Sequence, residues 1–473
     1  MRKTMANDFP QTDAGNAELI AAMFGPRLRF DHNTQRWLCW RDGKWTADCD
    51  GETVRMAKPA TRIRLSAASR VGDDEKRESA VSWALRSESR YCLHAAIDLA
   101  KSTPPIADPG THWDRDPFLL GVQNGVLDLI RGELRQARPE DRITIYSGIA
   151  FDPLATCARF ERFMVEVFQG DDETISFVQR AIGYSLTGNS SEHCLFLCCG
   201  HGCNGKSTLL EIVRTILGGY AHNLPFSAFE LTGRSTLPND VAGLRLKRFV
   251  TAVETNENIR LNEGRIKALT GGDCMTARFL YKEYFSFDST AKLWLAFNHR
   301  PQVTDNSHGF WRRIRLIPFD ATFTQPDKTL LAMLKLEASG ILNWALRGCL
   351  LWQEHGLGSP PAVAVATAEY RKESDPLSEF LDEGYTVAPQ AFVASAVLRA
   401  DYETWLLASG AAPMDHRSLS NRLRERGFVP DRSGRDRVRG WRGLRRKADV
   451  LPTNATPADT RTDADAESQQ LPI

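Results

Sequence analysis

No stretch of 18 or more apolar residues occurs in this 473-residue chain, so no membrane-spanning helix is expected. The first residues, Met1-Arg2-Lys3-Thr4-Met5, run almost directly into polar Asn7-Asp8 without the apolar core of a secretory signal, and a cytoplasmic protein is expected. Ten cysteines are present but none forms a C-x-x-C pair, which argues against a disulfide framework or a zinc ribbon. Their densest group, among His193, Cys194, Cys198, Cys199, His201 and Cys203, matches no tetrahedral spacing and reads as a buried strand entering a loop. Neither charge sign is in excess: 60 Lys and Arg against 59 Asp and Glu leave a net charge of +1, so contact with a polyanion must use local basic features. No internal repeat is visible. What is present is an ordinary globular composition, 42% hydrophobic and 25% charged. The length suits about three domains.

Residues 1–12 are polar and expected to fray, and residues 13–150 mix helical and strand-like patterns as an α+β leading domain. Within it, Trp37-Leu38-Cys39-Trp40, the turn pair Asp42-Gly43 and Trp45 predict a β-hairpin. Its tryptophans fit a small core, with base stacking as the alternative. Asn124-Gly125 predicts a second turn leading into a strand. Residues 151–356 alternate strand and helix, the pattern of an α/β domain. Strands are predicted over 194–199, 248–253, 292–297 and 314–319. Helices are predicted over 207–217, over 262–270 with Asn262 as cap, and within 332–352. Pro360-Pro361 and Asp375-Pro376 mark 357–376 as a linker. Residues 377–448 form a small basic unit, and 449–473, rich in Thr, Asp and Ala, are expected to be disordered.

The most informative segment is Gly200-His-Gly-Cys-Asn-Gly205-Lys206-Ser207, a G-x-x-x-x-G-K-[ST] phosphate loop between an apolar strand and a helix. Its glycines let main-chain N–H groups wrap the phosphates, and the helix N-terminus adds a favourable dipole. Lys206 would reach the β- and γ-phosphates of ATP, and Ser207 would offer its hydroxyl to Mg²⁺. Gly200, Gly202, Asn204, Gly205, Lys206, Ser207 and Thr208 are therefore the candidate nucleotide ligands. A Mg·ATP site also needs an acid. The apolar run Phe249-Val-Thr-Ala-Val253 ends in Glu254, at the strand end that faces the ligand crevice, with Glu257 as a second candidate. Ser207 and Glu254 form the candidate metal set. Asn298 ends the strand over 292–297, where its amide can orient an attacking water; by itself it reads as a turn former before Pro301. Arg312 and Arg313 open the next strand. They suit a finger entering a neighbouring subunit's site, while alone they read as a salt-bridging surface pair.

In this order, within residues 200–313, these elements resemble the superfamily 3 helicase core. More narrowly, residues 16–448 resemble the helicase part of the phage/plasmid and poxvirus primase–helicase family. Gly200 to Ser207 corresponds to its Walker A motif and Glu254 to Walker B. Lys267-Ala-Leu-Thr-Gly-Gly-Asp273 through Arg278-Phe-Leu-Tyr-Lys282 corresponds to the B′ region, Asn298 to motif C, and Trp311-Arg312-Arg313 to the finger region. Asn124 to Leu129 and Phe151-Asp152-Pro153 resemble the family's domain ahead of the ATPase. The resemblance implies an AAA+-like P-loop ATPase working as a homo-oligomeric ring, usually a hexamer, that threads a DNA single strand through its pore. It implies catalytic roles for Lys206, Glu254, Asn298 and Arg313, the last in trans. It also implies a pore-lining Lys282 at the tip of a hairpin formed by 275–280 and 284–287. Family members often carry an N-terminal primase. The residues before 151 show neither an acidic catalytic triad nor a zinc knuckle, so priming is not expected and a separate primase is a candidate partner.

Residues 417–447 hold twelve Arg or Lys against three Asp or Glu, a surplus of nine positive charges that leaves the rest of the chain negative by eight. Residues 415–426 predict a helix with Leu419 and Leu423 on one face and Arg422 and Arg426 on another, stopped by Gly427. Residues 438–444, with Arg439 and Trp441, predict a wing. Helix and wing make a winged-helix-like domain suited to duplex or forked DNA through Arg422, Arg426 and Arg439; a disordered basic tail is the alternative. The expectation for the whole is an ATP-dependent DNA helicase of phage or plasmid replication in a bacterial host's cytoplasm. Two other readings stay open: a P-loop NTPase switch, and an origin-binding assembly ATPase without unwinding activity.

Overall fold

The computed structural model describes residues 6–231, 241–254, 259–278, 283–409, 414–433 and 437–449, and the chain divides into two units, 1–371 and 372–473. The first unit begins with helices Asp13–Phe24, Glu52–Ala68, Asp74–Ser87 and Arg90–Ala100 and a sheet ordered Lys44–Ala47, Arg36–Arg41, Leu28–Asp31, Ala107–Asp108. The predicted hairpin is there: Asp42 and Gly43 both take left-handed φ values, 49° and 75°, as a two-residue turn of this twist requires. Trp45 is 1% exposed and packs edge-on to Trp113 at 5.4 Å, so it is core rather than a stacking platform. Helix Glu52–Ala68 starts beneath a carboxylate. Asp48 accepts main-chain N–H bonds from Asp50, Gly51, Glu52 and Thr53 at 2.8–3.3 Å, satisfying donors the helix leaves open.

The central sheet contains β1 (Leu195–Cys199), β2 (Ala221–Asn223), β3 (Phe249–Val253), β4 (Lys292–Phe297) and β5 (Ile314–Pro318). All pairings are parallel, in the order β5-β1-β4-β3-β2. Alternate residues serve opposite faces: Phe196, Cys198, Trp294 and Ala296 enter one core, Leu195, Leu197, Leu293 and Leu295 the other. Strands covered on both sides therefore read as continuous apolar runs. Helix α1 (Lys206–Leu217) follows β1 and buries Leu209, Leu210, Ile212, Val213, Ile216 and Leu217. Helix α2 (Glu263–Thr270) is capped as expected, with the Asn262 side chain accepting from Arg265 N at 3.0 Å. Helices Asp172–Leu186 and Ala338–His355 pass so closely that a Cβ on Gly183 or Gly348 would strike the other helix's backbone.

Two segments differ from the expectation. Residues 119–151 do not belong to a separate leading core. Their strands Leu119–Val122, Gly125–Asp128 and Glu133–Arg135 are short and two-layered packing is not available to them alone, so Leu120, Val122, Leu127, Leu129 and Phe151 join the core beneath the central sheet. The buried Arg248 guanidinium binds the carbonyls of Leu186 at 2.7 Å, Leu119 at 2.8 Å and Asp116 at 3.3 Å. The segment taken as a linker is mostly α3 (Pro361–Glu373), because a proline in the first turn starts a helix as readily as it breaks one. Its Val363, Ala366 and Tyr370 are buried, and the Thr367 hydroxyl accepts the N–H of Leu316 in edge strand β5 at 3.1 Å.

The second unit folds as α4 (Pro376–Gly384), β6 (Tyr385–Ala394), α5 (Ser395–Ser409), α6 (His416–Glu425), β7 (Val429–Ser433) and β8 (Val438–Arg446). The strands form an antiparallel sheet ordered β6-β8-β7 over a core that includes Leu377, Phe380, Tyr402, Leu419, Leu423 and Trp441. The described residues of the basic stretch, 417–433 and 437–447, thus belong to a folded unit; residues 434–436 and 450–473 lie outside the described residues. Among the described residues no helix is long and apolar enough to cross a membrane.

Asp48 provides a pH test of the fold. Burial alone would raise its carboxyl, but hydrogen bonds from Thr53, Glu52 and Asp50 outweigh it and hold it at about 2, against an ordinary 3.8. Its contribution to stability is complete above pH 3.8 and is lost as pH falls through about 2. Asp48→Asn should lower stability by about 1 kcal/mol at neutral pH, with the gap narrowing below pH 3.8 in unfolding curves. A gap that stays constant through that range would remove the ionised carboxylate from this role.

Candidate functional site

Parallel strands in matched register end together. Phe297 and Pro318 both pair with Cys199, and Glu254 N donates to Ala296 O at 2.8 Å. Gly200, Glu254, Asn298 and Phe319 therefore emerge along the carboxyl edge of the sheet, where open α/β sheets bind ligands. A cavity of about 300 Å³ opens there, lined by Gly202 through Thr208, by Val253 and Glu254, and by Ala296, Phe297 and Asn298. Most of the residues selected from the sequence as nucleotide, metal and water ligands are thus brought to one place, with Gly200 at the root of the loop.

The loop leaves β1 at Gly200, where a Cβ would run into the Phe319 carbonyl and the Asn204 amide. It enters α1 at Gly205, with a left-handed φ of 90° and no room for a Cβ beside Val167 and Phe163. Gly202 faces open space, and the left-handed turn inside the loop belongs to Cys203, φ 58°. Asn204 is buried and clips the loop in place. Its Nδ2 donates to Phe319 O at 3.0 Å, and its Oδ1 accepts from Lys206 Nζ at 2.9 Å. Lys206 is only 5% exposed, and its ammonium also donates to Gly200 O at 2.5 Å. Burial draws this lysine below its ordinary pKa, against the opposing influence of Cys198 and Cys199. Ser207 is exposed in the first turn of α1, where main-chain N–H groups have no intrahelical partner. A desolvated ammonium, helix-start N–H groups without intrahelical partners and an exposed hydroxyl suit a polyphosphate. Buried Glu254 adds the carboxylate that Mg²⁺ would require. The residues fit Mg·ATP.

Other groups near this site had no signal in sequence spacing. His201 of the loop meets His299, next to Asn298, edge-on at 6.1 Å. Burial pushes the Cys199 thiol up, and the Arg300 guanidinium opposes that shift. The Glu230 carboxyl is pushed up by burial and by the charge of Glu254, so a second acid lies within electrostatic reach.

Arg312 and Arg313 do not join this cavity. They precede β5, at the opposite edge of the sheet, and a five-residue strand spans about 16 Å. The half-buried Arg313 guanidinium donates to the Gly309 carbonyl, while Arg312 is exposed. The expected hairpin forms from Cys274–Ala277 and Phe285–Asp288, paired antiparallel. Lys282, assigned to its tip, and Glu257 lie outside the described residues.

In the second unit, Arg422 and Arg426, the candidate nucleic-acid contacts of α6, are half-buried. Both face Asp375, which Arg426 hydrogen-bonds and which lies 3.9 Å from Arg422, and their side chains are only 14% and 21% exposed. Asp375 also caps α4 through Ser378 N at 3.4 Å. The helix and its faces were legible, but the distant carboxylate that claims one face was not. Arg439 remains exposed, directly opposite Arg432 across β7 and β8. Opposed like charges repel, and neither arginine has an acidic partner among the described residues. Exposed Arg417 and Arg424 lie on α6.

Comparison with known proteins accords with this fold. A family described as D5 N terminal like matches residues 17–169, and a family of unknown function, DUF5906, matches residues 198–313. A protein of Acanthamoeba polyphaga mimivirus, named provisionally as a helicase, is 28% identical over 297 residues, covering 57% of this chain and 31% of its own length. A similarly named protein of frog virus 3 is 25% identical over 358 residues, covering 57% and 36%. A provisionally named primase of African swine fever virus is 29% identical over 210 residues, covering 43% and 22%. The chain thus spans between 22% and 36% of the length of these curated relatives. Among solved structures, the apo C-terminal region of NrS-1 shares the fold, with a TM-score of 0.50 at 10% identity over 90% of this chain and 99% of that one.

The two kinds of arginine in the second unit should separate by mutation. Asp375→Ala strips the carboxylate from two largely buried guanidiniums and should destabilise the unit by about 1–3 kcal/mol. Arg439→Ala should stay within about 0.5 kcal/mol of wild type. Denaturant unfolding of the full chain measures both, and equal losses would contradict this division.

Proposed function

The chain belongs to the D5-like primase–helicase family, and on that premise we propose that it is an ATP-dependent DNA helicase acting as a homo-oligomeric ring in phage or plasmid replication. The observation that carries the reading is the meeting of Lys206, Glu254 and Asn298 at one cavity. The strand order puts β4 between the loop-bearing β1 and the acid-bearing β3, so Asn298 emerges between loop and acid. This is an AAA+-like P-loop arrangement. Lys206 and the N–H groups of the loop hold the phosphates, and Ser207 and Glu254 hold Mg²⁺. Asn298 would orient the attacking water beside the phosphates. Bound Mg²⁺ supplies charge neutralisation on the phosphates. Arg313, remote from its own chain's cavity, acts in the site of a neighbour, most simply within a hexamer.

The second unit, with three helices and a three-stranded sheet ending in the β7–β8 wing, reads as a winged helix that holds duplex or forked DNA. Its contact passes through Arg432 and Arg439 of the wing and Arg417 and Arg424 of α6. The hairpin bearing Lys282 grips the single strand in the pore. A separate primase is a candidate partner, and the setting is the cytoplasm of a host bacterium. The provisional names of the viral relatives support work on nucleic acid.

Strand displacement on 5′-tailed and 3′-tailed forks with ATP tests the whole reading. Lys206→Ala should abolish hydrolysis, and Glu254→Gln should bind ATP without turning it over. Normal turnover by folded Lys206→Ala protein would remove the nucleotide-site assignment, and ATPase activity indifferent to DNA would favour an NTPase switch.

The trans role has its own test. Mixing Arg313→Ala with Lys206→Ala subunits should restore part of the activity lost in each, because some interfaces then carry both intact groups. A finger is worth about 10³–10⁵ in rate, so even a few such interfaces are measurable. Stable mixed rings without rescue, together with an inactive Arg312→Ala, would move the role to Arg312.

A further inference from the structure

The hairpin Cys274–Ala277/Phe285–Asp288 has two unlike faces. Met275, Ala277, Phe285 and Phe287 turn inward, with Ala277 0% and Phe287 8% exposed. The outward face pairs Cys274 with Asp288 and Thr276 with Ser286, whose hydroxyls lie 3.3 Å apart. One step further out, the same alternation brings Arg278 and Tyr284 onto this outward face. Tyr284 is 59% exposed, and the Arg278 guanidinium lies 5.0 Å from its ring centroid. Strand pairing does not require an aromatic ring there, since the outward neighbours Thr276 and Ser286 are small and polar. A large flat ring held in water beside a positive charge is the chemistry that receives a nucleobase on the ring and a phosphate on the guanidinium. Both residues flank 279–282, the stretch that contains Lys282.

We propose that Tyr284 and Arg278 form a base-stacking contact for single-stranded DNA, with a base on the Tyr284 ring and the adjoining phosphate on Arg278. The proposal rests on reading the hairpin as the DNA track and adds to it a grip on the bases, where Lys282 alone would grip the backbone. Every base offers a π face, so this contact holds the strand irrespective of sequence. It distinguishes a strand with bases from one without, which a purely electrostatic track does not.

The experiment uses the full chain, a thymidine homopolymer and an abasic strand of equal length and charge, in the same salt. Wild-type protein should bind the thymidine strand roughly tenfold more tightly than the abasic strand. Tyr284→Ala should lose that preference while its affinity for the abasic strand stays at the wild-type level. Tyr284→Phe, which keeps the ring, should retain the preference, and unfolding midpoints close to wild type would exclude a collapsed hairpin as the cause. An unchanged preference in Tyr284→Ala, or its loss in Tyr284→Phe, would overturn the stacking contact. Equal binding of both strands by wild type overturns this proposal alone, whereas binding of neither also removes the DNA track on which it rests.

Discussion

The ammonium of Lys206 is withdrawn from water, and much of the first unit follows from what that requires. A buried cation is costly without close acceptors, and here they are the Gly200 carbonyl and the Asn204 side chain. Asn204 can serve only while its own amide is held by the Phe319 carbonyl, which requires β5 to lie beside β1. Gly200 must pass against that same carbonyl, so a side chain there is excluded. Gly205 must then turn beneath Phe163 and Val167, which ties the loop to helix Ala158–Val167. One desolvated charge thus connects loop sequence, strand order and the packing of a helix some forty residues upstream.

The parts of this arrangement legible in the sequence were local. Apolar runs ending in Glu254 and Asn298 showed where strands stop, and Asp42-Gly43 marked the hairpin turn through its left-handed φ values. The order of the five strands could not be read, since parallel strands joined by helices leave several orders open. For the same reason Glu230 was missed, since it reaches the site from the segment after β2, whereas His299 and Arg300 follow Asn298 directly and only the fold shows that they meet His201 and Cys199. Pro360-Pro361 misled because a proline pair marks a helix start as well as a break, and only the burial of Val363, Ala366 and Tyr370 decides between them. The roles of the site residues follow from residue chemistry and resemblance, while their proximity is a property of the fold.

The basic second unit shows how a charge count departs from a binding surface. Nine surplus positive charges lie within 417–447. Yet Asp375 occupies Arg422 and Arg426, Asp431 occupies Arg442, and Asp401 occupies Arg446. These pairs fasten helices and strands together. Among the described residues Arg417, Arg424, Arg432 and Arg439 present their charge to solvent without such partners, so the charge open to any polyanion is smaller than the sequence surplus suggests. The salt dependence of binding scales with contacts made, not with arginines present.

Arg248 carries a consequence for how this chain can be divided. Two of its three carbonyl partners, Asp116 and Leu119, lie ahead of residue 151, and the third, Leu186, lies beyond it. Leu120, Val122, Leu127 and Leu129 of the same stretch belong to the core beneath the central sheet. A fragment begun at residue 151 would keep the cavity-forming segments yet hold a solvent-stripped guanidinium with one acceptor and a core open on one side. The stretch 116–129 and the central sheet are therefore one cooperative folding block, and the first permissible cut falls nearer the N-terminus, upstream of Asp116.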